Sequence, residues 1–283
     1  MSRKVIITAD STCDLSPELI EKYQVKIIPL VVGLDGTDYL DGVDITPDDI
    51  YKTYDEKKIL PKTSANTIVT YQEIFQKYVD DGFDVFHVAL SSKISSTCNN
   101  AKLASEEFQN VKVLDSLALS TGCALLIIKA AHLADKGYSA QEIYDVMVEK
   151  TSKVSTSFVL DTLEYMYKGG RCSSVAALGA NLLKLKPEID MHEGSLGVGK
   201  KYRGALSVVL PQYVKNQLEG RDDLDLNRIF ITHTQMPDPA LVDLVRKEIK
   251  KYANFKDIYE TTAGSTITSH CGKGCLGILF MTK

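Results

Sequence analysis

Within the first 135 residues, short apolar runs alternate four times with segments patterned as helices, and that alternation limits the possible folds more than any other feature. Val5–Ala9, Val25–Val32, Val85–Leu90 and Val111–Leu114 are brief, rich in branched side chains and read as buried strands. Between them, Ser16-Pro17-Glu18 opens a helix to Tyr23, with serine as cap and proline at the first helical position. Thr46-Pro47-Asp48-Asp49 opens a second, with acidic residues in its first turn. Further helices are expected from about Thr70 to Asp81, from Asn99 onward, and over Ser120–Lys136, which ends at Gly137. Asp35–Gly42 reads as a turn-rich acidic loop and Leu60–Thr67 as a polar one. Strands that alternate with helices in this way predict a mostly parallel, Rossmann-like α/β sheet.

The second half reads differently. Pro187–Met191 and Leu196–Lys201 flank Glu193-Gly194 as the arms of a hairpin would. Strands are expected at Ser155–Leu160, Ile229–Thr234, Asp257–Thr262 and Leu276–Met281. Helices are expected at Ser139–Lys150, Thr162–Tyr167, Ser173–Leu185, Leu206–Leu218 and Pro239–Tyr252. A hairpin among helices predicts a mixed sheet, so the fold class is two α/β domains, residues 1–150 and 151–283, with no evident linker between them.

At 44% apolar and 25% charged residues, a chain of 283 has enough of each to bury substantial cores. Its net charge of −4 argues against a general nucleic-acid surface. The six cysteines are scattered, unlike a secreted disulfide framework. The apolar run near the start is too short for a signal peptide, and Ala124–Ile128 is far short of a membrane span. The expectation is a cytoplasmic protein.

Candidate chemistry gathers in the loops. Ser91, Ser92, Ser95, Ser96 and Thr97 lie between the third strand and the helix after it. Unpaired amides at a helix start, with hydroxyls around them, suit a carboxylate or phosphate, although capping alone accounts for one or two of these residues. Lys62-Thr63-Ser64 adds hydroxyls beside a cation, and Thr262–Gly274 is a run of small hydroxyl residues, glycines and one histidine, His270. No GxxxxGK[ST] spacing is present. His270, Cys271 and Cys275 lack the second ligand pair of a structural zinc site, so no metal is expected. A Ser/His esterase acting on acyl chains is the alternative enzyme reading, but there is no G-x-S-x-G elbow. Nucleotide or sugar-phosphate binding would rest on the parallel sheet alone. Arg171 follows two glycines and Arg203 precedes one, which places both in turns suited to partner docking.

Taken in order, DST, KTS, SSKISST, DS, YKGGR, LKLKP, KKYRG and the final histidine-glycine loop resemble the DegV family, the bacterial fatty-acid-binding proteins also called FakB. The resemblance spans the whole chain. It implies a carrier without chemistry or cofactor of its own, holding one long-chain fatty acid such as palmitate, stearate or oleate. The carboxylate contacts it implies fall on Thr63, Ser95 and His270. Ser96 stands where the family usually has glycine and joins them as a candidate; Ser64, Thr97 and Ser269 are secondary ones. The resemblance further implies delivery of the acid to a fatty acid kinase subunit, which makes an acyl phosphate for phospholipid synthesis. Arg171 and, as a second contact, Arg203 would dock that kinase; transient contact with a membrane is a further expectation. The chain departs from the family pattern at TSANT (Thr63–Thr67) and ISSTC (Ile94–Cys98), and around His270.

Overall fold

The computed structural model describes residues 4–176 and 185–283. Strand β1 (Val5–Asp10) leads through a 3-10 turn at Ser11–Cys13 to α1 (Pro17–Lys22) and β2 (Lys26–Ile28). Next come β3 (Val31–Leu34), β4 (Thr37–Leu40), α2 (Pro47–Lys57), β5 (Lys62–Ser64), α3 (Ile68–Asp80) and β6 (Asp84–Ala89). Then follow α4 (Thr97–Ser105), β7 (Val111–Asp115), α5 (Thr121–Asp135), α6 (Ala140–Thr151), β8 (Val154–Val159), α7 (Glu164–Gly169) and α8 (Ser173–Ala176). The remainder is β9 (Lys186–His192), β10 (Ser195–Tyr202), α9 (Leu206–Leu218), β11 (Leu224–His233), α10 (Ala240–Tyr252), β12 (Asp257–Thr262), α11 (Ser265–Cys271) and β13 (Leu276–Thr282).

Four strands in the order β2-β1-β6-β7 form a wholly parallel sheet. Six strands in the order β10-β9-β8-β13-β11-β12 form a mixed one, in which only β11 and β12 run parallel. The α/β class with one parallel and one mixed sheet is as the alternation and the hairpin predict. Helix α5 is apolar almost all round, and such a helix is stable only when covered on every side. It is covered here by both sheets: Leu126 and Ile127 share one core with Ile7 and Val88 of the parallel sheet and with Phe230 and Leu279 of the mixed sheet.

Three expectations are corrected. Val25–Val32 is two strands in different sheets, because Pro29 cannot donate to a ladder and Leu30 N–H turns away to Ser11 Oγ at 3.1 Å. The acidic loop after it is a β3–β4 hairpin, closed by Asp35 (φ 50°) and Gly36 (φ 82°), the two left-handed residues a two-residue turn needs. The Leu60–Thr67 loop contains β5, which pairs antiparallel with β3 and completes a third, three-stranded sheet. Of the helix expected at Ser173–Leu185, the part to Ala176 is seen. Residues 177–184, with Leu183 and Lys184 of the LKLKP motif, lie outside the described residues.

Candidate functional site

Three of the four parallel strands, β1, β6 and β7, run into polar residues (Asp10, Ser91 and Asp115) at their carboxyl ends, where open α/β sheets place ligands. Two further elements reach that side. Strand β5 brings Thr63 and Ser64, and α11 brings His270. The stretch Thr262–Gly274, expected as a loop, is helical over Ser265–Cys271, so His270 stands on a helix in its last turn. Thr63 Oγ1 and His270 Nε2 lie 2.8 Å apart, although 207 positions separate them in sequence.

These side chains face a cavity of about 120 Å³. Its polar wall carries Thr63, Ser64, Ser95, Ser96, Arg171 and His270. Its apolar wall includes Leu30, Leu90, Leu119, Phe158, Met166 and Ile267. A smaller apolar cavity of about 20 Å³ adjoins it and shares Leu119, Phe158, Ile267 and Cys271. The serine-rich segment Ser91–Thr97 divides into two roles. Ser95 and Ser96 reach the cavity, whereas Ser91 Oγ donates to Gly194 O at 2.8 Å and Thr97 Oγ1 is 2.6 Å from the Tyr71 hydroxyl. Ser95 Oγ accepts from Thr97 N–H at 3.2 Å, which leaves its own proton free to donate into the cavity. Ser269 Oγ is turned back along its helix to Ser265 O at 2.7 Å and does not line the cavity. Arg203 is exposed in the turn after β10 and also lies off the cavity wall.

The electrostatics follow from burial. Desolvation, then the nearby Arg171 guanidinium, pushes His270 down to about 4, so its imidazole is neutral at pH 7. Its Nδ1 is buried against Gly169, where no side chain would fit, and has no hydrogen-bond partner among the described residues. Arg171 donates from Nη1 to Gly169 O at 2.6 Å and is the single cation among the lining residues. The lining offers an anion six hydroxyls, of Thr12, Thr63, Ser64, Ser95, Ser96 and Thr266, together with a neutral imidazole and one fixed positive charge. Among the described residues, no group of three or more His, Cys, Asp or Glu side chains is placed to hold a metal ion.

Two lining residues escape sequence reading: Thr12 and Thr266 are buried, and their hydroxyls have no partner among the described residues. Buried polar groups without partners are uncommon and mark places where water or a ligand atom is accommodated. Thr12 stands in the DST motif, and Thr266 lies one helical turn before His270, a spacing that becomes informative once that stretch is known to be helical.

The fold and cavity define an α/β protein with a cavity lined by apolar side chains and by hydroxyls, an imidazole and a guanidinium. The chain belongs to the DegV family: a family profile described as "Uncharacterised protein, DegV family" matches residues 4–283. A DegV domain-containing protein of Clostridium acetobutylicum is 30% identical over 285 residues, covering 99% of each chain. Among solved structures, a fatty-acid-binding DegV family protein of Thermus thermophilus superposes with a TM-score of 0.87 at 26% identity, covering 99% of this chain and all of that one. A stearic-acid-binding protein of Eubacterium ventriosum superposes at 0.80 with 27% identity, covering 98% of each chain.

Proposed function

We propose that this chain binds one long-chain fatty acid and presents its carboxyl group to a fatty acid kinase. The observation that carries this reading is that Thr63, Ser95, Arg171 and His270 line one cavity together with apolar side chains, with Thr63 Oγ1 2.8 Å from His270 Nε2. A carboxylate removed from water needs several donors to stay charged. Ser95 and Thr63 donate O–H, and Arg171 supplies the countercharge. Neutral His270, as the tautomer protonated at Nε2, would donate to Thr63 Oγ1, which leaves the Thr63 proton for the carboxylate. Ser95, half-buried and already oriented by Thr97 N–H, is the closer contact; Ser96 is exposed at the mouth. The acyl chain follows the apolar wall toward the second cavity, where each buried methylene contributes about 0.8 kcal/mol. The solved relatives named for fatty acid and for stearic acid support the same ligand class.

Nothing around the site favours the esterase alternative. His270 Nε2 meets a threonine, and Nδ1 has no orienting acid among the described residues. Arg171 remains the docking candidate for the kinase, and its place on the cavity wall would let a partner sense the occupied head-group end. Arg203 is the second candidate. We take residues 1–150 and 151–283 as the two structural units, the carrier acting in the cytoplasm with transient membrane contact during loading. No helix among the described residues is long and apolar enough to cross a membrane.

The test is native mass spectrometry of the purified chain followed by organic extraction. A stoichiometric addition of a few hundred daltons that extracts as free fatty acid is the expected result. Thr63→Val and His270→Ala should each weaken palmitate binding on the order of 10- to 100-fold, the range for losing a hydrogen bond to a charged group. A chain that stays clean after incubation with palmitate and oleate would overturn the proposal. A burst of product from an activated acyl ester would instead establish the esterase.

A further inference from the structure

Helix α11 carries the two site residues Thr266 and His270, yet its sequence, STITSHC, contains no strong helix former. Seven residues are too few to hold a helix by their own ladder. Its start is held instead by two carboxylates from distant parts of the chain. Gly264 N–H donates to Asp14 Oδ1 at 2.8 Å, and Ser265 N–H donates to Asp41 Oδ1 at 2.8 Å. The second oxygens are also engaged: Ser120 Oγ donates to Asp14 Oδ2 at 2.5 Å, and Ser11 Oγ donates to Asp41 Oδ2 at 2.8 Å. Both carboxylates are buried, and a Cβ built on Gly264 would lie 3.3 Å from an oxygen of each. Among the described residues neither has a lysine or arginine at ion-pair distance. Asp14 (φ 50°) and Ser120 (φ 52°) both hold left-handed backbone that side chains seldom adopt, and their mutual hydrogen bond joins the two strained positions.

We infer that Asp14 and Asp41 are positioning residues that set the orientation of α11 and thereby of His270, and that uptake of a proton by Asp14 loosens this clamp. The inference rests on the reading of His270 as part of the carboxylate site. Burial pushes Asp14 up to about 7; the Ser120 and Gly264 hydrogen bonds oppose that rise, and the charge of Asp41 adds to it. The other titratable groups facing Asp14 are the buried thiols of Cys13, Cys123 and Cys275, all raised, Cys123 to about 12, so they stay protonated. His270 stays neutral down to about 4. Asp14, raised to about 7, therefore changes charge between pH 6 and 8 at this helix start. A neutral carboxyl bonds Gly264 N–H about half as strongly as a carboxylate does.

The first measurement needs no ligand: the ring 15N signals of His270, followed from pH 5.5 to 8.5. The wild-type chain should show a small inflection near 7 without protonation of the ring. Asp14→Asn should abolish it, and Ser120→Ala, which removes an opposing hydrogen bond, should move it to higher pH. The second is equilibrium binding of palmitate over the same range, expected to weaken about fivefold as pH falls through 7 in wild type and to stay flat in Asp14→Asn. Asn can still accept from Gly264 N–H and donate to Ser120, so that variant is expected to fold. A flat His270 signal in wild type, or an unchanged inflection in Asp14→Asn, would overturn the inference. Should the His270 signals behave as expected while palmitate fails to bind at any pH, the clamp stands and the fatty-acid reading falls.

Discussion

His270 and Asp14 are both buried and pushed in the same physical sense, away from the charged form, yet they act on stability in opposite directions. Burial lowers His270 from 6.5 to about 4, so the unfolded chain takes up its proton first as pH falls. The contribution of this histidine is complete above 6.5 and is lost on acidification toward 4, to an extent of about 3 kcal/mol. His270→Gln should therefore flatten the acid limb of a stability profile, read as urea midpoints between pH 7 and 4. Asp14 is raised from 3.8 to about 7, so the folded chain holds its proton more tightly. Its contribution is greatest below about 4 and declines as pH rises to 7. Asp14→Asn is expected to keep or raise the melting temperature at pH 8, measured by calorimetry, even as it removes the pH response of His270. Arg171 is the second cause of the low histidine pKa. Arg171→Gln should raise that pKa and weaken palmitate binding together, as seen by 15N titration and equilibrium binding.

Helices and strands of this chain differ in where their boundaries come from. Ser16 caps α1, its Oγ accepting from Leu19 N–H at 3.4 Å, and Thr46 with Asp49 closes a capping box on α2. Both signals lie within four residues of the boundary they set, and both are readable from residue order. Helix α11 has no such local signal; its caps come from Asp14 and Asp41. Helix α3 is tied to its neighbours by Tyr71, whose hydroxyl donates to Asp10 Oδ1 at 2.5 Å and lies 2.6 Å from Thr97 Oγ1 at the start of α4. Tyr71→Phe leaves a buried carboxylate oxygen without that donor and should destabilise the fold by about 1–3 kcal/mol in urea unfolding. It should also weaken fatty acid retention, because Ser95 and Ser96 immediately precede α4.

The parallel and mixed sheets share a core across α5, and a shared core predicts that the two sheets lose structure together. Leu126 is fully buried between them, and Leu126→Ala should lower stability by about 2–5 kcal/mol. Hydrogen exchange at β6 amides and at β13 amides should accelerate together in that variant; exchange confined to one sheet would contradict a common core. Strand-helix alternation, the hairpin at Glu193-Gly194 and the capping residues are visible in residue order because each depends on neighbours a few positions away. Thr63, Ser95 and His270 could be singled out as carboxylate candidates because the motif series resembles a family; the hydroxyls of such loops by themselves are accounted for as well by helix capping. That Thr63 touches His270, that Arg171 lines the same cavity, and that Asp14 and Asp41 hold the start of α11 arise from segments up to 250 positions apart. Short-range periodicity and propensity act through backbone geometry over a turn or a strand pair. Which distant side chains share one buried, water-poor space is decided by how sheets and helices pack, and that packing also sets the charges of His270 and Asp14.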